Sequence, residues 1–263
     1  MRLKNKVALI TGSGSGIGAA TARLFAAEGA HVVVTGRRPE PIAAIAAELG
    51  GLAVAGDTSD QKHVDAAVAA AVSAYGGIDV LVCSAGVAFG GAVGDLDHAD
   101  WHRTLDINLN GPRMFTKAVL PMMIERGGGS IVMVSSTASM AAAPTSAAYD
   151  ISKAALNALV RSIAVAYGPQ GVRANALCPG WVMTPMGDED MDGLGAVKGI
   201  SRHEAYDLAN ADVPLRRAGS AAEMAACCLF LASDESSIVT GTTLVADGGG
   251  QAVEITSKAF GPE

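Results

Sequence analysis

KVALITGSGSGIG, residues Lys6 to Gly18, reads as a buried strand running straight into a glycine turn and then a helix. The run Lys6–Thr11 shows no polar alternation, which is the pattern of a strand covered on both faces. The glycines that follow permit positive φ and close approach by another group. A helix that starts directly after such a turn offers free N–H groups and the positive end of its dipole to an anion. Ser13 and Ser15 add hydroxyl donors. Counting gives Gly12-x-x-x-Gly16-x-Gly18, not G-x-G-x-x-G, and no Gly-Lys-Ser/Thr follows as in a nucleotide phosphate loop. Taken alone the turn is weak evidence, because any tight strand-to-helix corner looks similar.

Strand and helix signals alternate outward from it. Strand signals fall at His31–Thr35, Leu52–Ala55, Ile78–Cys83, Ser130–Ser135, Val172–Cys178 and Thr243–Val245. Helical patterns cover Ile17–Glu28, Pro39–Leu49, Asp60–Tyr75, Trp101–Arg126, Tyr149–Tyr167 and Ala221–Ala232, with a polar loop and short helices over Thr184–Asp212. Repeated β-α units with short turns imply right-handed crossovers, hence an α/β fold of Rossmann type. Its doubly wound parallel sheet has about seven strands, with helices on both faces. No composition break marks a second domain, so residues 1–263 read as one dinucleotide-binding and catalytic domain, with a substrate lid over about 184–214. Ligands bind such sheets beyond the carboxyl ends of the strands.

The bulk numbers agree. Half of the 263 residues are hydrophobic, 17% are charged and the net charge is −7. A sizeable core is possible, and an acidic chain is a poor nucleic-acid partner. No run approaches the roughly 18 apolar residues of a membrane helix, and the start lacks a signal-peptide stretch, so a cytoplasmic protein is expected. Cys83, Cys178, Cys227 and Cys228 form no C-x-x-C pair and read as reduced, packed thiols. Asp188-Glu189-Asp190-Met191-Asp192-Gly193 opens like a calcium loop but has Gly199 where Glu is needed, and reads as an acidic mobile lid. His98 and His102 lack H-E-x-x-H. No metal site is expected.

A cofactor without a 2′-phosphate is usually held by a carboxylate at the end of strand two. Here that end reads Thr35-Gly36-Arg37-Arg38. A guanidinium pairs with phosphate and stacks on adenine, so NADP(H) is favoured, with NAD(H) possible. Two solvated loop arginines are the plain alternative. Tyr149 and Lys153 lie four apart on one helix face. A tyrosine near its reference pKa of about 10 is a poor base. A neighbouring ammonium favours the phenolate, so Tyr149 can exchange a proton with a carbonyl or alcohol oxygen. Ser136, past the end of strand five, can hydrogen-bond that oxygen. Y-x-x-x-K by itself is common on helix surfaces.

The combination resembles the short, single-domain branch of the short-chain dehydrogenase/reductase family, among members like the 3-oxoacyl-acyl-carrier-protein reductases. Thr11–Gly18, Asp57-Thr58, Asn108, Ser136, Tyr149, Lys153 and Pro179-Gly180 fall in family order, with Ser136 thirteen residues before Tyr149. The resemblance implies hydride transfer between a nicotinamide cofactor and a ketone or secondary alcohol. Tyr149 would be general acid/base and Ser136 would polarise the carbonyl. Lys153 would bind the nicotinamide ribose, and Asn108 would hold a water in a proton relay. Gly12, Ser13, Ser15, Gly16, Ile17 and Gly18 would cradle the diphosphate. Arg37 and Arg38 would meet the 2′-phosphate, while Asp57 and Thr58 flank the adenine. Pro179, Gly180, Val182 and Thr184 would border the nicotinamide.

The family's Asn-Asn-Ala-Gly is here Cys83-Ser84-Ala85-Gly86, so weaker side-chain anchoring is expected at Ser84. A regulator that binds cofactor without turnover is the alternative, although such proteins tend to lose Tyr or Lys. Met183, Met186 and Met191 lie in the lid, and no arginine cluster accompanies them, so an uncharged, apolar ketone or alcohol is expected. Pro112–Arg126 and Tyr149–Tyr167 resemble helices that pair between subunits, implying a homotetramer. The tail Gly250–Glu263 would reach a neighbouring subunit.

Overall fold

Apolar runs that cannot alternate have to be covered on both sides, and the chain achieves this by pairing them edge to edge. In the computed structural model, which describes residues 1–254, the strands are β1 (Val7–Thr11), β2 (His31–Gly36), β3 (Leu52–Ala55), β4 (Val80–Cys83), β5 (Gly129–Val134) and β6 (Val172–Pro179). A two-residue pair, β7 (Val182–Met183) with β8 (Gly219–Ser220), and β9 (Thr243–Ala246) complete them. The order in the seven-stranded sheet is β3-β2-β1-β4-β5-β6-β9. Its neighbouring strands are all parallel. This is the doubly wound Rossmann-type sheet that the alternation of elements demands. Residues 255–263 of the expected subunit-reaching tail lie outside the described residues.

Period-two geometry splits each strand between two cores. Ala8, Ile10, Val32, Val34 and Val132 pack with Phe25 of α1 (Gly16–Ala27) and Leu229 of α9 (Ala221–Ala232). Leu9, Val33, Ile131 and Met133 face the other way, onto Phe115 of α5 (Gly111–Glu125) and Leu156 and Val160 of α6 (Ala147–Tyr167). β3 is the exception to the continuous-run pattern. It alternates half-buried with exposed residues because it is an edge strand covered on one face.

The remaining helices are α2 (Pro39–Leu49), α3 (Gln61–Tyr75), α4 (His98–Leu105), α7 (Pro185–Lys198) and α8 (Arg202–Ala209). Two expectations need correction. The stretch Trp101–Arg126 is not one helix: α4 and α5 are joined by a π-helical turn at Asp106–Asn110. Pro112 has no N–H to give the carbonyl four residues back, so the α-helical ladder cannot pass through unbroken. The lid is more helical than the polar loop with short helices that was expected. Its acidic stretch is the helix α7, closed by Gly199 in the left-handed conformation, and no metal-binding cluster exists among the described residues.

Strand order reverses between β1 and β4, so their carboxyl ends diverge and open a crevice. Beneath it, His63 of α3 is buried, with Nε2 2.6 Å from the Thr35 hydroxyl of β2. Burial lowers its pKa against the raising influence of Asp57 and Asp60. The fold therefore holds it neutral, while the unfolded chain takes up a proton as pH falls through 6.5. Stability should decline below that pH with a slope approaching about 1.4 kcal/mol per unit. Urea midpoints at pH 7.5 and 5.5 should show a larger drop for the wild type than for His63→Leu. Parallel drops would assign the pH dependence elsewhere.

Candidate active site

The crevice is a cleft of about 1100 Å³. At its centre the backbones of two loops nearly touch. Gly12, at φ +66°, sits where an added Cβ would lie 2.6 Å from the Ala85 nitrogen. Only glycine fits there, because both the conformation and the space exclude a side chain. The strand-four loop is tied down by the first residue of the glycine motif, to which no role was assigned: the Thr11 hydroxyl accepts from the N–H groups of Ser84 (3.1 Å) and Ala85 (3.2 Å). The backbone of Ser84 is thus anchored through the Thr11 side chain, independently of what the Ser84 side chain reaches. Thr11 was legible as the first residue of the motif, but its contact with the strand-four loop was not, because that loop lies more than seventy residues away.

Ser15 is the N-cap residue of α1 and its side chain makes no capping bond. With Gly16 and Ile17 it lines the cleft. Ser13 does not. Its buried hydroxyl donates to the Ile10 carbonyl (3.0 Å) and accepts from the Thr35 N–H (2.9 Å). The expectation of a phosphate-facing hydroxyl at Ser13 is therefore corrected: the small side chain turns inward and stitches the turn to β2. Gly18 also faces inward, where a Cβ would meet the Gly12 carbonyl oxygen at 2.5 Å. Ser13→Ala should cost about 1–3 kcal/mol of stability, since it orphans a buried N–H, and should leave cofactor affinity unchanged. A urea titration beside a cofactor titration checks both; weakened cofactor binding at unchanged stability would reverse the assignment.

At the far end Arg37 and Arg38 line the cleft, exposed and without an ion pair among the described residues. Asp57 and Thr58, in the loop after β3, line the same cleft. Burial opposes charge on Asp57, but bonds from Ser59 and Arg103 hold its carboxyl down at about 2. The buried Thr58 hydroxyl has no hydrogen-bond partner among the described residues. Arg103 carried no motif signal, because the contact joins α4 to the loop after β3.

On the opposite wall α6 presents Tyr149 and Lys153 over β5. Lys153 Nζ is 5.4 Å from the Tyr149 ring centroid and donates to the Val134 carbonyl at 2.9 Å. Lys153 is buried, which pulls its pKa down to about 8. Sequence reasoning has Lys153 lowering the Tyr149 phenol. In the structure burial is the larger influence and pushes that phenol up, with the nearby Ser136 hydroxyl acting in the other direction. Ser136 is the N-cap of the short turn Thr137–Ser139, and its hydroxyl accepts from the Ala138 N–H (3.1 Å). Pro179, Gly180, Val182 and Thr184 close the floor, and Thr184 caps α7.

The side chain of Asn108 does not face the cleft. It is fully buried in the π-helical turn. Its amide clamps Val87, accepting from the N–H (2.9 Å) and donating to the carbonyl (2.8 Å), and donates to Ser152 as well. A side chain so engaged is a brace. The main-chain carbonyl of Asn108 is the one that Pro112, lacking an N–H, cannot serve. In the lid, Met191 is buried among Ala205, Tyr206 and Ala218 rather than facing a ligand. Met186 lines the cleft, and Met183 borders a separate shallow surface. His98 and His102 contact each other at 2.9 Å. Burial pushes the Cys83 and Cys228 thiols up to about 12, and all four cysteines are free.

The lining fits a dinucleotide. A glycine cradle no Cβ can enter, a helix N-terminus and two guanidiniums without an ion pair among the described residues supply donors along one trough, which Thr58 also lines. Comparison with known proteins agrees. Residues 12–251 match the family model described as enoyl-(acyl carrier protein) reductase. The chain is 42% identical over 264 residues to oxidoreductase UcpA of Escherichia coli K12, covering 97% of this chain and 98% of that protein. It is 40% identical over 256 residues to human dehydrogenase/reductase SDR family member 4, covering 94% and 88%. The crystal structure of levodione reductase superposes with a TM-score of 0.91 at 32% identity, over 96% of this chain and all of that one. The chain belongs to the short-chain dehydrogenase/reductase family of oxidoreductases.

Proposed function

We propose that this protein transfers a hydride between NADP(H) and a ketone or secondary alcohol, with Tyr149 as general acid in reduction and general base in oxidation. NAD(H) is the second cofactor to consider. The observation that carries the reading is that Ser136, Tyr149 and Lys153 meet on one wall of the cleft whose other wall is the glycine turn. Gly12, Ser15, Gly16 and Ile17 would hold the diphosphate, Arg37 and Arg38 the 2′-phosphate, Thr58 the adenine side, and Pro179 to Thr184 the nicotinamide side. When bound, the nicotinamide supplies or accepts the hydride.

The rest is done by the chain. Ser136 donates a hydrogen bond to the substrate oxygen and fixes its direction. Tyr149, kept neutral by burial, gives that oxygen its proton during reduction. Lys153 places a cation over the tyrosine ring, which stabilises the phenolate left behind. Asn108 holds Val87 and Ser152 still, and its main-chain carbonyl anchors the proton route back. Ala141, Ala142, Phe89 and Met186 support a substrate with an apolar body.

Exposed Ile124 of α5 and Ile151 and Val165 of α6 support helix pairing in a homotetramer. Free buried thiols suit the cytoplasm, and no helix among the described residues is long and apolar enough to cross a membrane. The test is turnover of a broad ketone and alcohol panel with each cofactor. Tight cofactor binding with no turnover anywhere would make the protein a regulator instead.

A further inference from the structure

Helical spacing sorts the carboxylates of α7. Asp188 and Asp192, four apart, share a face and are both spent: Arg202 lies 3.3 Å from Asp188 and donates to Asp192 at 2.7 Å, and the Tyr206 hydroxyl donates to Asp188 at 3.0 Å. Asp190 is two steps of about 100° further round the axis, on the opposite face. It lines the same cleft as Tyr149 and makes no hydrogen bond or ion pair among the described residues. Its charge reaches the reaction centre, since it raises the phenol of Tyr149. Burial and Glu189 raise its own carboxyl, as expected of a carboxylate without a counter-charge.

The other charges around the substrate end are already committed. Asp150 accepts from the Ala143 N–H and the Ser146 hydroxyl. Asp247 accepts from the N–H groups of Gly249 and Gln251. Lys153 donates to Val134, and the free guanidiniums stand at the adenine end beyond β2. Among the described residues, the substrate half of the cleft therefore offers one unspent carboxylate and no unspent cation.

We propose that Asp190 is a specificity-determining residue, selecting substrates that carry a hydroxyl or ammonium donor beyond the reacting carbon and rejecting those with a carboxylate or phosphate there. The inference rests on the proposed ketone/alcohol reading and refines it: an apolar body with a donor at its far end. An anionic substrate would meet a like charge on the cleft wall, which is unfavourable even for a side chain as exposed as Asp190, whereas a donor would meet an acceptor lacking any other partner among the described residues.

The test uses four cyclohexanones bearing hydroxyl, dimethylammonium, methyl or carboxylate opposite the carbonyl. Each is assayed for turnover with NADPH, and for binding by calorimetry in the presence of NADP⁺, where no hydride can move. Wild type and Asp190→Asn are compared. The wild type should favour the hydroxyl and dimethylammonium probes over methyl, and disfavour carboxylate by at least about tenfold in kcat/KM. Asp190→Asn should narrow the carboxylate–methyl gap by about tenfold, mainly through KM and Kd. An unchanged carboxylate-to-methyl ratio in the variant, or failure of all four probes to bind, overturns the proposal. Absence of turnover with a clear shift in binding selectivity would instead remove the catalytic reading and leave the Asp190 assignment standing.

Discussion

Tyr149→Phe is expected to lower kcat by about 10²–10⁴-fold with ketone substrates. The substitution deletes one oxygen and keeps the ring, so the packing of α6 and the Lys153 cation over the aromatic face survive. What disappears is the proton donor to the substrate oxygen. Ser136 cannot replace it, since an aliphatic hydroxyl at neutral pH has far less tendency to release its proton. NADPH affinity should stay within about twofold, because an aromatic ring still forms the wall beside the nicotinamide. Stopped-flow loss of NADPH absorbance gives the first number and a fluorescence titration the second. Retained turnover would remove Tyr149 from the mechanism, and loss of NADPH binding would mean the ring had moved.

The second large effect concerns the adenine end. Arg37→Ala combined with Arg38→Ala should weaken NADPH by about 10²-fold, while NADH changes by less than about threefold. Both guanidiniums are exposed, so each contributes less than a buried charge-assisted bond would. Their joint effect is large because no other unpaired cation lies at that end of the cleft among the described residues. Raised salt should weaken NADPH binding to the wild type more than to the double variant, since screening acts on the charges removed. Equal losses for the two cofactors would place the 2′-hydroxyl or 2′-phosphate elsewhere and withdraw the preference for NADP(H).

Much of this site was readable because the motifs are local. Gly12, Gly16, Tyr149 and Lys153 act through turn geometry and through one helical turn, and both distances are set by nearby sequence. Where reading went wrong, the missing information was non-local. Ser13 has the same side chain as Ser15 two positions on, yet one seals the turn against β2 and the other faces the cleft, because Thr35 arrives beside only one of them. Asn108 reads as a site residue, but that its side-chain amide is engaged by Val87 and Ser152 could be seen only once the turn was packed. Arg103 reaches Asp57 across 46 residues, with no motif at either end. Met191, similar to Met186 in sequence, fills the inside of the lid.

By itself the sequence determined the alternation of strands and helices, the parallel sheet and the glycine turn. Continuous apolar runs need cover on both faces, and positive φ needs glycine, whatever the rest of the chain does. Only the tertiary structure decided which polar groups are spent and which are free. That depends on partners brought from distant segments by strand order and helix packing, as when Arg202 draws off Asp188 and Asp192 and leaves Asp190 to the cleft. A buried polar group without a partner is costly, so folding commits every hydroxyl, amide and charge it can, and chemistry is done with the remainder.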